Sequence, residues 1–112
     1  MMYNLFVDDY RNPEDVTMCL GNEWRLVRSL DEAVSLVERE GKPDLISFDH
    51  DLNSKHYSGD YSDNKTGADL AYILCKMFNG NMPRYQVHSL NPDAPRRIRQ
   101  AIRVGMMELE TT

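Results

Sequence analysis

Positive charge is scarce in this chain. Thirteen Lys and Arg stand against 18 Asp and Glu, for a formal net charge of −5. Such a surface excludes broad nucleic-acid binding through phosphate neutralisation. It leaves room for a small phosphorylated ligand or an RNA terminus, which a metal and a few arginines can neutralise locally. Cysteine is nearly missing: Cys19 and Cys75 are far apart and in no CxxC motif. A disulfide framework and a thiolate metal centre are thereby set aside, and both residues read as buried free thiols. No apolar run approaches the roughly 20 residues that span a bilayer, so no membrane association is expected. Met1-Met2 lead into a strand-like segment without a signal-peptide pattern, which makes a cytoplasmic protein the expectation. Repeats and low-complexity tracts are absent, and 112 residues allow a single domain, 1–112, with a real core.

What is present is an alternation of short strands and helices. Residues 3–7 read as a first strand, followed by the turn Arg11-Asn12-Pro13-Glu14-Asp15. Pro13 marks a helix start, with room for only one or two turns before Gly21-Asn22. Trp24 to Arg28 alternates as a second strand. Ser29 or Asp31 then caps a helix over 31–40, with Leu30, Ala33, Val34 and Val37 as its buried stripe. Gly41 ends it and Pro43 prevents continuation. Leu45 to Phe48 forms a third strand, nearly continuous in apolar character, as a sheet covered on both faces requires.

Residues 53–65 lack any apolar period, so this inserted loop is either a lid or a disordered stretch. Thr66 caps a helix over 67–79 with Leu70, Ile73, Leu74 and Met77 inward, and Gly80 stops it. Tyr85 to His88 is a fourth strand, and Asn91-Pro92 a turn. A last helix over 93–104 buries Ile98, Ala101 and Ile102, and Met106 to Leu109 reads as a short fifth strand. The alternation specifies a three-layer α/β sandwich with right-handed crossovers. The flavodoxin-like strand order 2-1-3-4-5 sets the first and third strands side by side.

That order matters because of how those two strands end. The first runs into Asp8-Asp9 and the third into Asp49-His50-Asp51. Both clusters fall at the C-terminal edge of a parallel sheet, where ligands bind. Carboxylates brought together repel one another unless a cation or protons neutralise them. Asp8, Asp9, Asp49 and Asp51 are therefore the candidate metal ligands, hard oxygen donors that suit Mg²⁺ or Mn²⁺.

Leu5-Phe6-Val7-Asp8-Asp9, then Pro43 to Asp49, then Thr66-Gly67-Ala68-Asp69-Leu70 resemble a response-regulator receiver domain. The resemblance implies Mg²⁺ at Asp8, Asp9 and Asp49, phosphoryl acceptance by Asp49, and phosphoryl contact by Ser89. It departs from ordinary receivers in having no lysine after Lys76, a shorter first helix and the long polar loop. More of the chain is similar to the cyclic-phosphate processing receiver domain. That likeness runs through Phe6-Val7-Asp8-Asp9-Tyr10-Arg11-Asn12-Pro13, Trp24, Asp49-His50-Asp51-Leu52, Thr66-Gly67 and His88-Ser89-Leu90-Asn91-Pro92. It implies a receiver-like fold and processing of a cyclic phosphate, at an RNA end or in a nucleotide.

The expected function is metal-dependent hydrolysis of such a cyclic phosphate by a small phage or bacterial phosphoesterase. The competing expectation is a receiver-like nucleotide-binding or signalling module without turnover. Opening the ring requires a proton for the departing ribose oxygen, which nominates His88 or His50. Asp49 and Ser89 complete the candidate catalytic set, and Arg11, Thr66 and Asn91 are the candidate substrate contacts. His88 and Ser89 are consecutive, so both reach one site only if the fourth strand ends at His88. Tyr57 and Tyr61 are placed to stack on a base or to stand exposed in the loop. Arg96, Arg99 and Arg103 share one helical face, either solvated or a ligand clamp. Haloacid dehalogenase phosphatases also place Asp-x-Asp after a strand, but a match to them leaves Asp8-Asp9 unexplained.

Overall fold

The computed structural model of the chain describes residues 3–19, 21 and 23–111. Met1-Met2 and Asn22 of the expected Gly21-Asn22 turn lie outside the described residues. Four parallel strands form one sheet: β1 (Asn4–Val7), β2 (Arg25–Val27), β3 (Leu45–Phe48) and β4 (Arg84–Val87). Their order is β2-β1-β3-β4, with Val7 opposite both Val27 and Phe48, and Phe48 opposite Val87. This is the flavodoxin-like arrangement, and it brings the ends of β1 and β3 together. No helix among the described residues is long and apolar enough to cross a membrane.

The two faces of the sheet are built differently. Leu5, Val7, Ile46 and Phe48 point to one face and pack with α1 (Leu30–Glu40), α3 (Gly67–Met77) and α4 (Ala94–Glu110) in a single core. The alternate positions Leu26, Phe6, Ser47 and Gln86 form a row across the opposite face. Among the described residues two 3₁₀ turns, Pro13–Asp15 and Thr17–Cys19, follow β1 before β2 begins, so the first helix of the sequence reading is two short turns. They cover that face with a small cluster of Phe6, Val16, Cys19 and Trp24. The third layer is therefore thin, and polar Ser47 and Gln86 are retained beneath it.

Helix boundaries follow local chemistry. Ser29 caps α1 by accepting from Glu32 N, and Gly41 ends it at φ +90°, a conformation that costs glycine little. Leu36 rather than Val34 completes the deepest stripe of α1, and Val34 is only partly buried. Thr66 caps α3 in a reciprocal capping box with Asp69. In α3 the buried set is Leu70, Ala71, Leu74 and Cys75; Ile73 is partly buried and Met77 exposed. Both free cysteines are buried.

The expected fifth strand at Met106 to Leu109 is corrected: these residues are the last turns of α4, and the sheet has four strands among the described residues. Gly105 does not terminate the helix. It lies buried where α4 crosses α3, and a side chain there would meet Cys75 Sγ at 3.1 Å. The added turns are tied down by Glu108, which accepts from Tyr72 Oη and from Lys76 Nζ at 3.0 Å. Ala101 is partly exposed, and Ala94, Ile98, Ile102 and Gly105 form the buried stripe of α4.

Candidate functional site

Asp8 and Asp49 sit at the C-terminal ends of the neighbouring strands β1 and β3, where the chain leaves the sheet. Both are buried, at 1% and 5% exposure. They form the floor of a cavity of about 930 Å³ whose walls include Asp9, Tyr10, Arg11, Asp51, Tyr57 and Ser89. That volume is at the upper end of ordinary small-ligand sites.

The pKa values of the two carboxylates are shifted in opposite directions. Asp8 Oδ1 accepts from the backbone N–H of Tyr10 and of Arg11, each at 2.8 Å. Its Oδ2 accepts from Arg11 Nε at 3.2 Å and from His88 Nε2 at 3.0 Å. Burial alone would raise the pKa of Asp8. The hydrogen bonds from His88, Arg11 and Tyr10 outweigh it and hold the group down to about 2. At Asp49 the compensation is too small. Burial pushes it up to about 6, opposed by a bond to Ser89, and the neighbouring charge of Asp8 adds to the rise. Its Oδ1 accepts from His50 N at 2.8 Å.

His88 stands behind this pair, outside the cavity wall. Its backbone N–H continues the β4 ladder to Phe48 O at 2.9 Å, so its side chain falls on the thin face with Gln86. There it stacks on Phe6, ring centroids 4.4 Å apart. Gln86 Nε2 donates to Ser47 Oγ at 3.1 Å, and Ser47 Oγ lies 2.7 Å from His88 Nδ1. A donor sequence from Gln86 through Ser47 to His88 Nδ1 leaves Nε2–H pointing at Asp8. Ser89, one residue on, turns to the other side and reaches Asp49 and the cavity.

The remaining candidates fall into different places. His50 is fully buried, with Nδ1 2.8 Å from Asp51 Oδ1 and no partner at Nε2, so it meets the cavity through Asp51. Arg11 braces Asp8 and donates from Nη2 to His88 O at 2.8 Å. Thr66 is buried, and its hydroxyl is engaged in the α3 cap. Asn91 lines the cavity and donates from Nδ2 to Tyr61 Oη at 3.2 Å. The chain can approach this closely because residue 67 is glycine. Gly67 N donates to His50 O at 2.8 Å, and a Cβ there would lie 1.9 Å from Asp49 O.

Residues 53–65 form a built wall over the site. Asn53 caps the single-turn helix α2 (Ser54–Tyr57). Leu52 N donates to His56 Nδ1 at 2.8 Å, which makes His56 Nε2 the protonated nitrogen facing Asp63 Oδ1 at 2.9 Å. Asn53 Nδ2 closes the latch on Asp63 Oδ2 at 2.7 Å. Tyr57 Oη crosses to Asp9 Oδ1 at 2.8 Å. Tyr61 is already occupied: Arg97 lies over its ring, and His50 and His56 meet it edge-on.

One oxygen or nitrogen from each of Asp8, Asp49 and His88 falls within 4.8 Å of the others, a buried group able to hold a metal ion. The donor set fits a hard cation at the two carboxylates, because burial and the charge of Asp8 outweigh the groups that favour ionised Asp49. His88 Nε2 is engaged with Asp8 and supports it from behind. Asp9 and Asp51, both half-buried, add oxygens at the cavity wall. Sequence reading missed Ser47 and Gln86, visible only as polar breaks in apolar strands, and the His56–Asp63 latch. It also passed over Tyr10 and Leu90, large apolar residues directly beside the motifs.

A family model described as the cyclic-phosphate processing receiver domain matches residues 3–104. No curated protein and no solved structure matches the chain.

Proposed function

The chain belongs to the cyclic-phosphate processing receiver domain family, and from that membership we propose that its cavity hydrolyses a cyclic phosphate on a nucleotide or an RNA end, with a divalent cation at Asp8 and Asp49. One observation carries this reading. Two adjacent buried carboxylates, one held ionised and one pushed toward protonation, floor a cavity that takes a ligand of nucleotide size. Mg²⁺ or Mn²⁺, when bound, supplies charge neutralisation at the phosphate and a more acidic water.

The remaining work falls to the chain. Ser89 offers a hydroxyl to phosphoryl oxygens from the wall, beside Asp49. Asp51 faces the cavity with His50 Nδ1 fixing one of its oxygens. Its carboxylate takes a proton from the attacking water as the new P–O bond forms. The same proton returns to the ribose oxygen released when the ring P–O bond breaks. His88 and Arg11 keep Asp8 ionised and in place.

A second reading, nucleotide binding without turnover, is favoured by one feature: no ring nitrogen of His50, His56 or His88 stands open to the cavity. Product chromatography on adenosine 2′,3′-cyclic phosphate and cyclic-ended RNA, with Mg²⁺ or Mn²⁺, separates the two. Hydrolysis predicts a 2′- or 3′-monophosphate product, abolished in Asp49→Ala. It also predicts a kcat reduced roughly 10²- to 10⁴-fold in Asp51→Asn. Saturable binding with no product in wild type would establish the second reading instead.

A further inference from the structure

Tyr10, Tyr57 and Leu90 are the most exposed large apolar side chains of the described residues, at 77%, 60% and 84%. Singly exposed apolar residues are ordinary. These three come from separate segments, the loop after β1, helix α2 and the loop after β4, and all line the one cavity that holds Asp8 and Asp49. The hydroxyl of Tyr57 is fixed on Asp9, so its ring stands at the mouth in a set direction.

We infer that Tyr10, Tyr57 and Leu90 form a base-stacking subsite, so that the ligand presents a nucleobase at the mouth while its phosphate meets the acidic floor. The inference rests on the proposed cyclic-phosphate reading and names what the other half of that ligand must be. Charge supports it. A floor of Asp8, Asp9, Asp49 and Asp51 repels a bare phosphate, and Arg11 is engaged with Asp8. The phosphate end therefore depends on the cation for its affinity, and the apolar mouth adds a grip that needs none. Aromatic and apolar faces grip any base without reading its edges, so the subsite is tolerant of base identity. Tyr61, the other loop tyrosine, is excluded from this role because Arg97 and two histidines surround its ring.

The test compares adenosine 2′,3′-cyclic phosphate with methyl riboside 2,3-cyclic phosphate, which has the same reacting group and no base. Binding is read by calorimetry with Mg²⁺ and turnover by product chromatography, on the full chain. The nucleotide should bind at least tenfold tighter than the riboside. Tyr10→Ala and Tyr57→Ala should each weaken the nucleotide roughly tenfold, with the loss on KM more than kcat, and barely change the riboside. Tyr57→Phe, which keeps the ring and drops the Asp9 bond, should recover most of that loss. Equal affinity for the two probes, or equal losses on both in the alanine variants, overturns the subsite even if hydrolysis proceeds. Ring-dependent nucleotide binding without turnover would uphold the subsite while overturning the hydrolytic reading.

Discussion

Asp49 carries a buried charge that the fold alone does not stabilise, and replacing it with asparagine should therefore make the metal-free protein more stable. The residue is 5% exposed, and burial raises its pKa from 3.8 to about 6. A carboxyl raised in this way is tolerated when protonated and costs stability once ionised. The penalty is absent below the unfolded value near 3.8, grows as pH rises, and is complete above about 6. At about 1.4 kcal/mol per pK unit, the full penalty is about 3 kcal/mol. Asparagine keeps the oxygen that accepts from His50 N and removes the charge facing Asp8. Asp49→Asn should gain about 1–3 kcal/mol at pH 7.5 in chelator, on the order of 5–15 °C in Tm for a domain of this size. The gain should vanish at pH 4. Adding Mg²⁺ should raise the Tm of wild type, since a cation that binds only the folded form stabilises by mass action, and leave Asp49→Asn unchanged. Calorimetric melts at the two pH values, with and without Mg²⁺, decide it. A variant no more stable than wild type at pH 7.5, or a gain of equal size at pH 4, would refute the account of a desolvated, uncompensated carboxylate.

Gly67→Ala should lose about 3 kcal/mol or more in urea unfolding, because its Cβ would meet the backbone of Asp49 at 1.9 Å and of His50 at 3.0 Å. Gly105→Ala, whose nearest neighbour is the movable Cys75 side chain at 3.1 Å, should lose clearly less, and equal losses would contradict the distinction. Acid stability depends on Asp8 and Asp63, both lowered to about 2, Asp8 by bonds that outweigh its burial and Asp63 chiefly by its bond to His56. Depressed carboxyls contribute fully above their unfolded value near 3.8 and lose that contribution as pH falls through 2. Asp8 then accounts for about 2 kcal/mol lost between pH 4 and 2. Asp63→Asn should flatten part of the same slope in a circular-dichroism titration, and an unchanged slope would remove the latch from the account.

The sheet was legible because its signals were local: two apolar runs ending in acids, alternating helical stripes, and caps at Ser29 and Thr66. The order of strands then placed Asp8 beside Asp49 without any contact being known. The last helix, expected to end at 104, instead runs to Glu110 through Gly105. That glycine permits α4 to cross α3, a tertiary reason with no local signature. The loop resisted reading for the same cause. Its order comes from long-range partners, such as Tyr57 with Asp9 and Tyr61 with Asn91 and Arg97, and not from any apolar period of its own. His88 looked like a group facing the site because it closes β4. Strand alternation carried it to the thin face, and Ser89 to the cavity.

The thin face explains why buried Ser47 and half-buried Gln86 persist there. Ser47 and Gln86 occupy strand positions that an apolar residue would fill at lower desolvation cost. Such groups are tolerable only when satisfied, and here each is: Gln86 on Ser47 and Cys19, Ser47 on His88, His88 on Asp8. All of that hydrogen bonding converges on one carboxylate. A low-dielectric setting strengthens every link of it, which is how Asp8 stays ionised beside a second acid that burial drives the other way. Helix packing on the opposite face requires none of this, since Leu5, Val7, Ile46 and Phe48 need only apolar neighbours. One side of the sheet thus fixes where the two aspartates stand, and the other makes Asp8 the stronger acid of the pair.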